Sequence, residues 1–126
     1  MSEIRILIVE DEPLIATDIE QCLDNLDFRV SGIAYDPTDA LHELANNQPD
    51  VVLLDINLSS DQMDGIDLAQ VVKEKYQIPV IFLTSYSDRP TLDKAKRTAP
   101  AGYILKPFDE RTLLATLEIS LYNFAQ

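Results

Sequence analysis

The chain is poor in several residue types, and each shortage excludes something. It has a single cysteine, Cys22, so no internal disulfide can form. A lone half-apolar thiol within a helical pattern reads as a small core residue. Lysine and arginine number 10 against 22 aspartates and glutamates, a formal net charge of −12. Such a balance disfavours non-specific binding to nucleic acid or to an anionic membrane. The basic run Lys94, Lys96 and Arg97 then reads as a solvated helix face. The lone histidine, His42, lies on the polar side of a helical pattern and takes no role. No apolar run approaches the roughly 18 residues of a membrane span. Met1-Ser2-Glu3-Ile4-Arg5 passes at once into a strand pattern, with no room for a signal peptide. A cytoplasmic protein without membrane insertion is expected. There is no internal repeat and no low-complexity tract, and 126 residues make one domain, 1–126.

What is present is a set of short apolar runs that each end on charge. Ile6-Leu7-Ile8-Val9 enters Glu10-Asp11-Glu12-Pro13, Val51-Val52-Leu53-Leu54 enters Asp55-Ile56-Asn57, and Ile104-Leu105 enters Lys106-Pro107. Runs of this kind become strands buried on both faces. The strands are expected at Ile4–Val9, Phe28–Ala34, Val51–Leu54, Pro79–Leu83 and Gly102–Leu105. Between them lie amphipathic patterns. The first starts at Pro13, suited to the first helical position, and ends near Asn25. The others run from Asp36-Pro37 to Asn46-Asn47, from about Ile66 to Tyr76, from Pro90 to Thr98, and from Asp109 to Phe124. Leu113, Leu114, Leu117, Leu121 and Phe124 are the expected inward stripe of the last. Ser59-Ser60-Asp61-Gln62 reads as a polar, flexible loop.

Five alternations of strand and helix, joined by right-handed crossovers, give a parallel sheet with helices on both faces. The expected architecture is a flavodoxin-like doubly wound (βα)5 fold with strand order 2-1-3-4-5. Strands one and three are then neighbours. Their carboxyl ends flank the switch point, where ligands of open α/β sheets bind. Glu10, Asp11 and Asp55 should converge there with Lys106 nearby, a constellation for a divalent cation and a phosphoryl group.

On these residues the chain resembles the receiver domain of two-component response regulators over essentially its whole length. The resemblance rests on the acidic pair in Val9-Glu10-Asp11-Glu12, the strand-end Asp55, Thr84 after Ile81-Phe82-Leu83, and Tyr103 ahead of Lys106-Pro107-Phe108. It implies that Asp55 accepts a phosphoryl group from a histidine kinase or phosphotransfer protein. It implies Mg²⁺ held by Glu10, Asp11, Asp55 and the backbone carbonyl of Asn57. Lys106 would act as a point charge on a phosphoryl oxygen or on Asp55, and Thr84 would donate its hydroxyl to another oxygen. Thr84 and Tyr103 would form the switch. Asn57 and Tyr86 would tune access of the hydrolytic water. Such a module is not a turnover enzyme; it catalyses its own Mg²⁺-dependent phosphoryl transfer and slow dephosphorylation.

The segments Ala95-Lys96, Gly102 to Arg111, Leu117-Glu118 and Leu121-Tyr122 are similar to receivers at the front of larger sensor or signalling proteins. An output module, or a second copy in a homodimer, would dock on the fourth helix, fifth strand and last helix, with Ile119 and Tyr122 on the surface. The chain departs from many receivers after Asp55, where Leu58-Ser59-Ser60-Asp61-Gln62-Met63-Asp64-Gly65 lacks the usual proline. The residue after Thr84 is small, as usual, and is Ser85.

Two other chemistries share parts of this pattern. A flavodoxin-type carrier needs a Ser/Thr/Gly-rich phosphate loop after the first strand, where Glu10-Asp11-Glu12 would repel phosphate. A haloacid-dehalogenase-type phosphatase needs a second aspartate two residues after the nucleophile, and that position is Asn57. A receiver degenerate in its site would lack part of the acidic set, Thr84 or Lys106, and all are present.

Overall fold

The computed structural model describes residues 4–58, 63–85 and 89–125. Along the chain these form β1 (Arg5–Val9), α1 (Pro13–Asn25), β2 (Arg29–Ala34), α2 (Pro37–Asn46), β3 (Val51–Asp55) and α3 (Gly65–Val71). A π-helical turn (Val72–Tyr76), β4 (Val80–Thr84), α4 (Arg89–Lys96), β5 (Gly102–Leu105) and α5 (Glu110–Ala125) complete the order. The strands pair in parallel in the order β2-β1-β3-β4-β5, the expected flavodoxin-like arrangement. The expected loop at Ser59–Gln62 lies outside the described residues.

Why the strand runs are apolar throughout is visible in their alternation. Leu7, Val9, Leu54 and Phe82 point to one face, under Leu44, Leu68, Val72 and Ala95 of α2, α3, the π-turn and α4. Their neighbours Ile6, Ile8, Leu53 and Ile81 point to the other, under Ile19, Leu23, Leu113 and Leu117 of α1 and α5. A period of two distributes the central strands between two cores, so β3 and β4 are buried at every position, while the edge strands β2 and β5 are only partly covered.

Most boundaries differ from expectation by one residue, as helix and strand ends do. Three differences are physical. The third helix does not stay α-helical to Tyr76 but widens into a π-turn from Val72, a feature with no composition signature. Phe124 does not face inward; it is half-exposed in the last turn of α5. Ser120 takes an inward place instead, seated on Gly102 of β5 so closely that a Cβ there would collide with its Oγ. Gly65 opens α3 rather than preceding it. A Cβ on Gly65 would stand 2.7 Å from the backbone oxygen of Asp55, so only glycine lets α3 start this close to the end of β3.

Candidate functional site

Glu10 follows β1 and is fully buried. Its amide donates to the Ala34 carbonyl at 3.0 Å, fixing it against the end of β2. Glu12 holds the N-cap position of α1 without a side-chain cap bond, so the acidic run is not explained by capping. Instead the Glu12 amide donates to Glu10 Oε2 at 3.1 Å, turning the Glu10 carboxylate back over the sheet edge. Asp11 is exposed. Asp55 ends β3 and is buried, and the Asn57 amide donates to its Oδ1 at 3.0 Å. Carboxylate oxygens of Glu10, Asp11 and Asp55 lie within 4.8 Å of one another.

Lys106 arrives from the other side. Its amide donates to the Thr84 carbonyl at 2.7 Å, which sets it at the end of β5. Its Nζ is 2.9 Å from Glu10 Oε1 and 3.6 Å from Asp55 Oδ1. The closer partner is thus Glu10, where the resemblance had pointed to Asp55. The longer glutamate side chain, folded back by the Glu12 amide, reaches the ammonium first.

Burial pushes the Glu10 carboxyl up to about 7; the Lys106 hydrogen bond opposes this and the negative field of Asp55 adds to it. Burial pulls the Lys106 ammonium down, but its bond to Glu10 and the fields of Asp55, Glu10 and Glu12 outweigh that and leave it raised. Three carboxylates facing one ammonium leave an excess of negative charge in a largely dry site. Mg²⁺ takes few carboxylates and keeps several waters, and an exposed Asp11 beside buried Glu10 and Asp55 suits that. The donor set fits.

The other expected site residues are placed as follows. Thr84 is buried at the end of β4 and its hydroxyl donates to the Ser85 carbonyl at 3.1 Å. Tyr103 pairs in register with Phe82 and stacks on it, ring centroids 6.2 Å apart. Tyr103 packs against the α2–α3–α4 core, and burial raises its phenol. Asn57 is exposed next to Asp55. Tyr86 lies outside the described residues. Ile119 and Tyr122 stand on the outer side of α5, 62% and 68% exposed. No helix among the described residues is long and apolar enough to cross a membrane. The Glu10–Lys106 pair is what sequence reasoning missed. Its partners are 96 residues apart, and no local pattern signals which carboxylate a distant lysine will choose.

Residues 6–118 match the family model of the response regulator receiver domain. The transcriptional regulatory protein PdtaR of Mycobacterium tuberculosis is 30% identical over 97% of this chain and 58% of its own length. The phyllosphere-induced regulator PhyR of Methylorubrum extorquens is 36% identical over 94% of this chain and 43% of its own. The chain therefore spans about half the length of these curated relatives. Among solved structures, the signal receiver domain of a modulated diguanylate cyclase from Desulfovibrio desulfuricans superposes with a TM-score of 0.91. It is 31% identical and covers 98% of both chains. A CheY-like receiver domain protein from Methanospirillum hungatei gives 0.85 at 27% identity.

Proposed function

This chain belongs to the response regulator receiver domain family, and on that premise we propose that it is a cytoplasmic phosphoacceptor module whose site is Asp55, Glu10, Asp11, Lys106 and Thr84, with residues 1–126 forming a single receiver domain. One observation carries the reading: at the carboxyl edge of the sheet, residues from three separate strand ends bring three carboxylates within 4.8 Å of one another and an ammonium 2.9 Å from one of them and 3.6 Å from a second. A histidine kinase or phosphotransfer protein is the donor. An oxygen of the Asp55 carboxylate attacks phosphorus in line; the new O–P bond forms as the bond to the donor nitrogen breaks. The Asn57 amide orients Asp55 by holding one oxygen, which leaves the other for attack. Glu10, Asp11, Asp55 and the Asn57 carbonyl would hold Mg²⁺, which supplies positive charge against the phosphoryl oxygens. Lys106 then exchanges Glu10 for a phosphoryl oxygen, a movement of one side chain. The Thr84 hydroxyl leaves the Ser85 carbonyl for another oxygen, and Tyr103 follows toward the space beneath α4. Asn57, two residues after Asp55, and Tyr86, two after Thr84, would tune access of the hydrolytic water. The test is a small phosphodonor with Mg²⁺, which should add one base-labile phosphoryl group, mapped by mass spectrometry to Asp55.

Metal binding has a predicted pH dependence. With the Glu10 carboxyl at about 7, a cation must displace a proton from it below that pH. Mg²⁺ affinity, read as the rise in melting temperature, should fall about tenfold from pH 8 to pH 6. A rise independent of pH excludes Glu10 from the metal site, and no rise at any pH excludes the site.

The output surface is assigned to α4, β5 and α5. Ile119 and Tyr122 are large apolar side chains left in water there. Phosphorylation is expected to tighten self-association or docking of an output partner on this face. Ile119→Glu should abolish any beryllofluoride-dependent increase in molecular size while Asp55 still labels. An increase unchanged in Ile119→Glu places the contact elsewhere.

A further inference from the structure

The two ends of helix α4 are buried to different degrees. Arg89 and Pro90 are exposed in its first turn, and Thr91 and Leu92 are only half-buried. The ion pairs of Asp93 with Arg89 and Lys96 are both 3.5 Å and solvent-exposed, so they contribute little. The far end is different. Ala95 is fully buried and Thr98 nearly so. The Thr98 hydroxyl donates to the Ala95 carbonyl at 2.7 Å, and the amides of Arg97, Thr98 and Ala99 close the last turn on Lys94, Ala95 and Lys96.

A side chain from a neighbouring element completes this end. Lys73 Nζ donates to the Thr98 carbonyl at 3.0 Å. Thr98 stands in the turn just past Lys96, where α4 ends, so this charge-assisted bond ties that turn, and through it the end of the helix, to the third helix. Lys73 sits in the π-turn that ends the third helix, where Val72 and Tyr76 pack into the core and hold the turn in place. π-turns are rare and frequently lie at functional sites. Lys73, Thr98 and Phe124 of α5 line one small cavity, so the anchored end of α4 adjoins the last turn of α5.

We propose that Lys73 is a positioning residue that clamps the carboxyl end of α4, making the helix a lever. Its amino end swings when Thr84 moves, while the Lys73–Thr98 junction stays fixed in both states. The inference rests on the switching role of Asp55 and Thr84 proposed above. It adds the location of the fulcrum. Without a fixed end, the small displacement of Thr84 would be absorbed by loosening of the whole helix. With one, it becomes a rotation that carries the exposed face of α4 in a defined direction.

Amide hydrogen exchange on the full chain, with and without Mg²⁺ and beryllofluoride, tests this. In wild type, beryllofluoride should change exchange at Asp93 and Lys94 at least tenfold, with less than a twofold change at Arg97, Thr98 and Ala99. In Lys73→Met, which keeps the apolar stem, those three amides should exchange about tenfold faster even without beryllofluoride. The beryllofluoride effect should then spread to them. Lys73→Arg should restore the wild-type pattern. Equal change at both ends of α4 in wild type overturns the lever while leaving the switch intact. Unchanged exchange at Arg97–Ala99 in Lys73→Met overturns the clamp. No change anywhere in α4 on beryllofluoride binding removes the switch itself, and the lever with it.

Discussion

Asp55→Asn is expected to lose phosphoryl labelling by at least a hundredfold while folding normally. The substitution changes one oxygen to an amide nitrogen. It keeps the shape, and its remaining oxygen can still accept the Asn57 amide that now bonds Asp55 Oδ1 at 3.0 Å. What it removes is the nucleophile and one negative charge. Loss of that charge also takes away a field that raises Glu10, so the Glu10 carboxyl should fall below its present value of about 7. The variant should therefore be no less stable than wild type above pH 7, and its Mg²⁺-dependent stabilisation should shrink. Labelling is read by intact-mass measurement and the Glu10 shift by carboxyl NMR titration. Full labelling of the variant at another residue would sink the assignment of Asp55.

Lys106→Met is expected to have the largest effect on stability, and in a pH-dependent way. Glu10 is fully buried and Lys106 is its only nearby cation among the described residues. A carboxyl raised from 4.5 to about 7 favours the fold while protonated. That contribution is complete below pH 4.5 and is lost as pH rises through about 7, a change on the order of 3 kcal/mol. The Lys106 hydrogen bond opposes the rise, so its removal pushes Glu10 higher and enlarges the loss. Breaking a buried pair on one side typically costs about 3–5 kcal/mol when the remaining group must stay charged. Urea unfolding of the metal-free variant should show a deficit of roughly that size at pH 8 and a much smaller one at pH 5, where Glu10 takes a proton in both proteins. The same deficit at both pH values would mean that the lysine acts through packing of its stem and not through charge. Labelling of Asp55 should slow about a hundredfold, as for loss of one fixed stabilising charge.

Local sequence by itself determined the element order and the two-faced burial of the central strands, which follow from short-range periodicity. Crossover handedness allows more than one sheet order; the flavodoxin-like one was expected as the likeliest, and the tertiary structure has it. Local sequence also determined that Glu10, Asp55 and Lys106 must gather at one edge, because each directly follows a strand and all the strands run in the same direction. Which of them touch was decided only by tertiary structure. Lys106 bonds Glu10 in preference to Asp55 because the Glu12 amide folds the glutamate back over the sheet, a geometry that no spacing encodes. Phe124 was misread because helical periodicity marks a stripe but not how far along the helix its burial extends. Ser120 was missed because its place is made by the absence of a side chain at Gly102, on another element. The Lys73–Thr98 bond was invisible for a related reason: it depends on how the ends of two helices on one face of the sheet meet. Periodicity reports what each element buries; it does not report which distant ends are brought into contact.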